Sequence, residues 1–78
     1  MTTDLVLVTL FDLARAGVPA DCALLAARLG ASHAEVAMEL ARLDRAGLAN
    51  ASRCRLTLVG LARAASARAR ADVRARAA

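Results

Sequence analysis

Residues 20–47 read ADCALLAARLGASHAEVAMELARLDRAG, and the rest of the chain is organised around this stretch. Its centre predicts a tight turn, because Gly30 suits the left-handed backbone position that commonly follows a helix end. Ser32 and Glu35 then match a capping box, in which each side chain accepts a hydrogen bond from the other residue's backbone N–H. The stretch therefore predicts a short helix, a turn and a longer helix that ends at Gly47.

Both predicted helices carry apolar residues at helical spacing, so each has one face suited to a core. Two short helices of this kind pack across each other through such faces. The faces comprise Cys22, Leu25 and Leu29 in the first helix and Val36, Leu40 and Leu43 in the second.

The length and composition of the chain indicate one small, mostly helical domain over residues 1–78. Although 59% of the 78 residues are hydrophobic, 22 residues are alanine, which favours helices and buries little surface. A core of this size is only marginally sufficient for stability. We therefore expect the fold to gain stability from association with a second copy.

Positive charge is concentrated in the second half of the chain, although the net charge is only +4. Residues 1–50 carry four arginines against six carboxylates, a net charge of −2. Residues 51–78 carry seven arginines against Asp72 alone, a net charge of +6. This distribution is typical of a basic flank that binds nucleic acid, and equally of an ordinary solvated helix in an arginine-rich chain.

Cys22 and Cys54 are too few for a disulfide framework, and with the single His33 they form no close ligand pair for a metal. We expect reduced thiols that are buried or half-buried, and no cofactor. A redox role is the alternative, since Arg53 and Arg55 beside Cys54 could lower the pKa of its thiol. The N-terminal apolar run has no basic lead and is too short to span a bilayer, so a cytoplasmic protein is expected.

Residues 3–16 predict a first helix whose cap lies near Thr2. One stripe of this helix, formed by Val6, Leu10 and Leu13, suits the core, but the helix is apolar nearly all round. Such helices are usually buried on more than one side, so a second subunit is expected to cover the rest. The run at 6–8 also allows a strand as the alternative. The residues expected at the dimer interface are Leu5, Leu7, Val8 and Phe11.

After Gly47 the pattern predicts a short hairpin and a last helix. Residues 53–56 alternate arginine with an apolar residue, as in a strand with one solvated face, and residues 51–52 are the expected turn. Thr57 is expected to cap a helix over residues 58–76. One side of that helix is predicted to form a dimer seam or to pack on the first helix. It carries Leu58, Leu61, Ala62, Ala65, Ala69 and Val73, of which Leu61, Ala65, Ala69 and Val73 are assigned to the dimer interface.

The order helix, helix-turn-helix, hairpin, helix resembles a winged helix-turn-helix domain. LAARLGAS at Leu25–Ser32 looks like the second helix and turn of that family, and VAMELARLDRAGLA at Val36–Ala49 looks like its recognition helix leading into the wing. RLTLVGLARA at Arg55–Ala64 looks like the segment that leaves the wing. The resemblance covers about residues 17–65 and is nearest to small bacterial MarR-like regulators. It implies a mainly α fold, with a three-helix core over about residues 3–57, a short β-hairpin wing and a C-terminal helix.

This resemblance also implies that the helix over residues 32–47 enters the major groove of double-stranded DNA and that a homodimer reads a palindrome. Two carboxylates on the helix, Glu35 and Glu39, repel phosphate unless they are paired. The capping box already uses Glu35, and Arg42 can pair with Glu39 at i+3. The candidate DNA-binding residues are Arg28, Ser32, His33, Ala34, Ala37, Met38, Arg42, Arg45, Arg53 and Arg55.

The leading hypothesis is a dimeric transcriptional regulator that binds a specific DNA sequence, with the wing arginines on the DNA backbone. The alternative is a winged-helix protein–protein interaction module without strong DNA binding. An enzyme is not expected, because the chain has one histidine, no Ser-His-Asp set and no glycine-rich phosphate loop. No small-molecule ligand and no membrane contact are predicted.

Overall fold

The computed structural model describes residues 2–77, which form four helices and one two-stranded antiparallel hairpin. The prediction of a mainly helical fold with a short hairpin is confirmed. The elements are α1 (Thr3–Arg15), α2 (Cys22–Leu29), α3 (His33–Arg45), β1 (Ala49–Asn50), β2 (Arg55–Leu56) and α4 (Leu58–Ala77).

The first helix begins at a side-chain cap, as predicted: the Thr2 hydroxyl accepts a hydrogen bond from the Leu5 backbone N–H at 3.2 Å. The alternative of a strand at residues 6–8 is therefore wrong. The buried face is wider than the predicted stripe, because Leu7 is only 1% exposed and lies in the core with Val6 and Leu10. Leu7 was expected at the dimer interface. The structure corrects this, because the chain's own core already covers that side chain.

The turn between α2 and α3 has the predicted geometry. Gly30 ends α2 in the left-handed conformation, with φ of 63°. Ser32 caps α3, and both capping-box hydrogen bonds are present: Glu35 N–H to Ser32 Oγ at 3.1 Å, and Ser32 N–H to Glu35 Oε1 at 3.2 Å. At the other end of α2, the Asp21 carboxylate accepts a hydrogen bond from the Leu24 N–H at 2.7 Å. These caps fix the start of both helices and hence the direction of α3.

The core lies where α1, α2 and α3 meet and is completed by the hairpin and α4. Almost all of it is leucine, valine and alanine, which fits the alanine-rich composition. Its fully buried members on α2 and α3 are Leu25, Val36, Leu40 and Leu43, the residues predicted for these inner faces apart from Cys22 and Leu29, which are half-buried.

The hairpin is shorter than predicted and its turn is longer. Ala49 pairs with Leu56 and Asn50 with Arg55, so four residues rather than two connect the strands. The Asn50 side chain accounts for the longer turn, because its Oδ1 accepts hydrogen bonds from the Arg53 backbone N–H at 3.3 Å and from the Ser52 hydroxyl at 2.8 Å. Arg53 therefore lies in the turn, whereas Arg55 begins β2.

Thr57 links the hairpin to α4, as predicted for a cap. Its hydroxyl accepts a hydrogen bond from the Gly60 N–H at 3.0 Å and donates one to the Gly47 carbonyl at 2.7 Å. Gly60 lies directly against the backbone of Leu48, and a Cβ at this position would overlap the Leu48 carbonyl oxygen. Only glycine therefore allows α4 to begin this close to the hairpin.

The face of α4 that packs on the core differs from the predicted one. Gly60, Ala64 and Ala67 are buried against the rest of the chain, and small side chains there let α4 approach α1 closely. Apart from the half-buried Leu61, the predicted stripe faces the other way: Leu58 is 85% and Val73 is 64% exposed. The prediction that this stripe packs on α1 is therefore wrong. Gly60 has to face Leu48, and this orientation of α4 turns the stripe away from the core.

Ion pairs join α4 to α1 along the groove between the two helices. Arg68 lies 3.3 Å from Asp12 and 3.6 Å from Asp72, and Arg70 lies 3.4 Å from Asp4. Two of the seven arginines of the basic segment are thus paired with carboxylates within the fold.

Candidate nucleic-acid interface

The outer face of α3 is free of contacts with the rest of the fold. His33, Ala34 and Met38 are exposed, Met38 by 69% of its surface. This exposure follows from the periodicity of α3, since its opposite face is held in the core. The other candidates on or beside this helix are also exposed: Ser32, Ala37, Arg42 and Arg45.

Glu39 lies at the edge of this face but is only 8% exposed. Its Oε1 accepts a hydrogen bond from the Thr3 hydroxyl at 2.7 Å, and its Oε2 pairs with Arg42 Nη1 at 3.2 Å. The pairing with Arg42 is the one predicted at i+3. The contact with Thr3 could not be predicted, because 36 residues separate the two side chains and no local pattern connects them.

Both carboxylates of α3 that oppose phosphate binding therefore have partners within the chain. Glu35 accepts the Ser32 N–H in the capping box, and Glu39 is buried between α1 and Arg42. A carboxylate that is paired with a cation repels an approaching polyanion less than an unpaired one does, and this applies to Glu39 through Arg42. Glu35 stays exposed in the first turn, and the rest of the outer face is apolar or basic.

The hairpin adds two exposed arginines beside α3. Arg53 in the turn and Arg55 on β2 form no ion pair within residues 2–77. Asp44 positions this hairpin, because its Oδ2 accepts a hydrogen bond from the Ala51 N–H at 2.8 Å and so ties the last turn of α3 to the hairpin turn. Arg28 is exposed in the last turn of α2.

The residues expected at a dimer interface do not form one surface. Leu5 and Val8 line a groove between α1 and α4, with Ala67 and Ala71 opposite them. Phe11 is half-buried, and the guanidinium carbon of Arg15, one turn later on α1, lies 5.6 Å from the centre of its ring. The α4 residues separate likewise. Leu61 lines a cavity beside the hairpin, whereas Ala65, Ala69 and Val73 lie on the exposed outer side.

The environment of Cys54 is the reverse of the one expected for a reactive thiol. The pKa of Cys54 is raised from the ordinary 9.0 to about 11, chiefly by burial and to a smaller extent by the neighbouring Cys22 and Asp21. The expected lowering by Arg53 and Arg55 is therefore wrong, because the thiol points into the core whereas both guanidinium groups are in solvent. Both cysteines are free, as predicted.

Other recognisable features are few in the part of the chain that the structure describes. Those residues include no helix that is long and apolar enough to cross a membrane. Within the same range, no three His, Cys, Asp or Glu side chains cluster in a way that could hold a metal ion. Comparisons with protein-family models, with curated proteins and with solved structures find no match for the chain.

Proposed function

We propose that the chain is a small winged helix-turn-helix regulator of transcription that binds a specific sequence of double-stranded DNA as a homodimer. In this proposal α3 is the recognition helix and the hairpin is the wing. The observation that carries it is the burial of Glu39, which is held by the Thr3 hydroxyl and by Arg42 and so leaves Glu35, at the start of α3, as the solvated glutamate beside an otherwise apolar or basic outer face.

The side chains on that face suit the two kinds of DNA contact. Ser32 and His33 stand at the start of α3, the part of a recognition helix that usually lies deepest in the major groove. Ala34 and Ala37 can contact thymine methyl groups, and Met38 adds apolar surface. The candidates for phosphate contacts are Arg28, Arg42, Arg45, Arg53 and Arg55.

Affinity in this proposal comes mainly from arginine–phosphate contacts. Each neutralised phosphate releases counterions, so binding should weaken steeply as the salt concentration rises. The wing arginines Arg53 and Arg55 form no ion pair with residues 2–77, whereas Arg42 pairs with Glu39. The wing is therefore expected to contribute more to the salt dependence than Arg42 does.

The exposed side of α4 is the surface we assign to the second copy. At 100° per residue its apolar members fall within about 80° of one another, directly opposite the face that packs on the core. Alanines at such positions allow two helices to approach closely, and the larger side chains at each end add apolar area. This stripe consists of Leu58, Ala62, Ala65, Ala69 and Val73, all of which are exposed.

The alternative function, a protein–protein interaction module, is favoured by one feature of the same face. Met38 is 69% exposed between Ala34 and Ala37, which gives α3 an apolar centre. Methionine is common at surfaces that bind helices or peptides. In that case the arginines would only keep the protein soluble, and DNA would bind weakly and without sequence preference.

The test is fluorescence anisotropy with mixed-sequence duplex DNA at low and at physiological salt. The double variant Arg53→Ala/Arg55→Ala is compared with Arg63→Ala/Arg74→Ala, which removes the same charge from α4. We expect the wing variant to bind at least tenfold more weakly and to reduce the salt slope by about 2, whereas the α4 variant changes both much less.

Sequence preference is then measured by selecting bound duplexes from a random pool. A two-fold symmetric motif, weakened when His33→Ala is used, would support the regulator. No binding even at low salt would overturn it. Equal losses in the two double variants would also overturn it, because they would indicate a general attraction to polyanions rather than a wing contact.

A further inference from the structure

A cavity of about 450 Å³ opens between the end of α1 and the hairpin. Its innermost members are the buried side chains of Leu10 and Leu13 on α1. Residues 17–20 line it on one side and residues 53–56 on the other, and α4 contributes Leu61. These segments are distant in the sequence, so no local pattern predicts the cavity. Its volume lies in the range of sites that bind small molecules.

The backbone at the end of α1 accounts for the space between the two sides. Gly17 has φ of 70°, and the Val18 N–H donates to the Leu13 carbonyl at 3.0 Å, which is a common way to end a helix. Pro19 then has no backbone N–H to donate. Within residues 2–77, no backbone hydrogen bond joins residues 17–20 to the hairpin. The two segments therefore lie beside each other without pairing, and the cavity stays open between them.

The lining of the cavity combines an aliphatic interior with two positive charges. Arg53 and Arg55 are exposed, so they lie at its open side, and they form no ion pair within residues 2–77. Among the described residues that line it, none is acidic or aromatic, and the buried Cys54 thiol is the one other polar side chain. A ligand that fits this lining has one anionic group and an aliphatic body without further polar groups.

We propose that this cavity binds a medium-chain aliphatic monocarboxylate, with its carboxylate at Arg53 and Arg55 and its chain against Leu10 and Leu13. Guanidinium groups donate paired hydrogen bonds to a carboxylate. Each methylene that leaves water for the aliphatic interior adds to the affinity. Since exposed ion pairs contribute little by themselves, the chain supplies most of the affinity and the arginines select the anionic head.

This ligand competes with DNA, because the same two arginines are the wing arginines of the proposed interface. A carboxylate bound to Arg53 and Arg55 takes the positive charge that would otherwise meet phosphate. Saturating octanoate should therefore weaken DNA binding about tenfold, the loss expected for the wing double variant. By linkage, DNA weakens octanoate binding by the same factor. This competition rests on the proposed function, whereas binding of the carboxylate does not.

The experiment titrates the full ¹⁵N-labelled chain with sodium octanoate at constant ionic strength and follows the amide resonances by NMR. We expect saturable shifts at residues 13–20 and 53–56. Octanol, which has the chain without the charge, and butyrate, which has the charge on a short chain, should each bind at least tenfold more weakly. The double variant Arg53→Ala/Arg55→Ala should lose octanoate affinity to a similar extent.

A cavity-filling variant separates this site from the arginines themselves. Ala14 is exposed on α1 and lines the cavity, so Ala14→Leu takes up its space and leaves both arginines in place. We expect it to bind octanoate at least tenfold more weakly, and to bind DNA like the wild type but without a response to octanoate. Ala27→Leu, an exposed position on α2 away from this lining, is the matched control and should change neither property.

The proposal is overturned if octanoate gives no saturable shifts, if butyrate binds as tightly as octanoate, or if Ala14→Leu binds octanoate like the wild type. Octanoate that binds without weakening DNA binding would overturn the competition. A chain that binds octanoate but no DNA would support the cavity site and overturn the proposed function, so the two failures are distinguishable.

Discussion

The hydroxyl of Thr3 donates a hydrogen bond to Oε1 of Glu39 at 2.7 Å, which joins the first turn of α1 to the middle of α3. Glu39 is the one buried charged residue within residues 2–77, and its other oxygen pairs with Arg42. A buried carboxylate is tolerated only when its oxygens have partners. This contact therefore has two effects: it fixes α1 on α3 and it removes a negative charge from the proposed DNA-binding face.

Thr3→Val should lower the free energy of unfolding by about 1–3 kcal/mol, because it leaves a buried carboxylate oxygen without its partner. Thr9→Val is the matched control on the same helix. The Thr9 hydroxyl bonds only to the Leu5 carbonyl at 2.8 Å, one turn away, so its loss should change stability by less than about 0.5 kcal/mol. Urea denaturation followed by circular dichroism measures both, and equal effects would refute a special role for Thr3.

Gly60→Ala should be among the most damaging single methyl additions to the chain. The new Cβ would overlap the Leu48 carbonyl oxygen, a backbone atom that cannot move without shifting the hairpin. Since alanine otherwise favours a helix, the steric effect must exceed that gain, and we expect a net loss of about 3 kcal/mol of unfolding free energy.

Gly30→Ala is the control for that substitution. No atom lies within 4 Å of a Cβ at Gly30, so only its φ of 63° opposes alanine. The loss there should be about 1 kcal/mol. If the two variants were equally stable in urea, close packing at Gly60 would not be what positions α4.

Local signals in the sequence were sufficient for most of the helical framework. The cap at Thr2, the turn at Gly30 and the capping box of Ser32 and Glu35 each depend on residues no more than three or four positions apart. The exposed face of α3 followed from the same short-range periodicity. The pairing of Glu39 with Arg42 was accessible for this reason too.

Features that depend on contacts between distant residues were missed. The inner face of α4 is set by the approach of Gly60 to Leu48, which periodicity in an alanine-rich helix cannot reveal because nearly every face carries alanine. The surroundings of Cys54, which include Cys22, were missed for the same reason. Adjacent arginines in the sequence suggested a lowered thiol pKa for Cys54, whereas the fold buries that thiol and raises its pKa.

The stability of the reduced protein should fall at alkaline pH because of Cys54. Its thiol has a pKa of about 11 in the fold, against 9.0 for an ordinary thiol, so between these values the unfolded chain loses a proton that the folded chain keeps. The stabilisation is complete below about pH 9 and is lost as the pH approaches 11, amounting to about 1–3 kcal/mol. Urea titrations in a phosphine reductant at pH 8 and 10.5 measure it.

Cys54→Ala isolates this contribution, since alanine also has to adopt the positive φ but does not titrate. The variant should be less stable than the wild type at pH 8, and the difference between them should shrink at pH 10.5. A difference that stays constant across this interval would mean that the Cys54 thiol ionises equally well in both states.

The outward stripe of α4 gives the last prediction, which concerns the proposed homodimer. Val73 and Val59 are both 64% exposed on this helix, but only Val73 falls on the stripe with Leu58 and Ala65. Val73→Glu should therefore weaken self-association at least tenfold, because it places a charge in an apolar seam, whereas Val59→Glu should leave it nearly unchanged.

Sedimentation equilibrium measures both variants beside the wild type. Since each adds one negative charge to the same helix, general repulsion affects both alike. A monomeric wild type, or equal weakening by the two substitutions, would place the dimer surface elsewhere than on α4. The groove lined by Leu5 and Val8 would then be the next surface to vary.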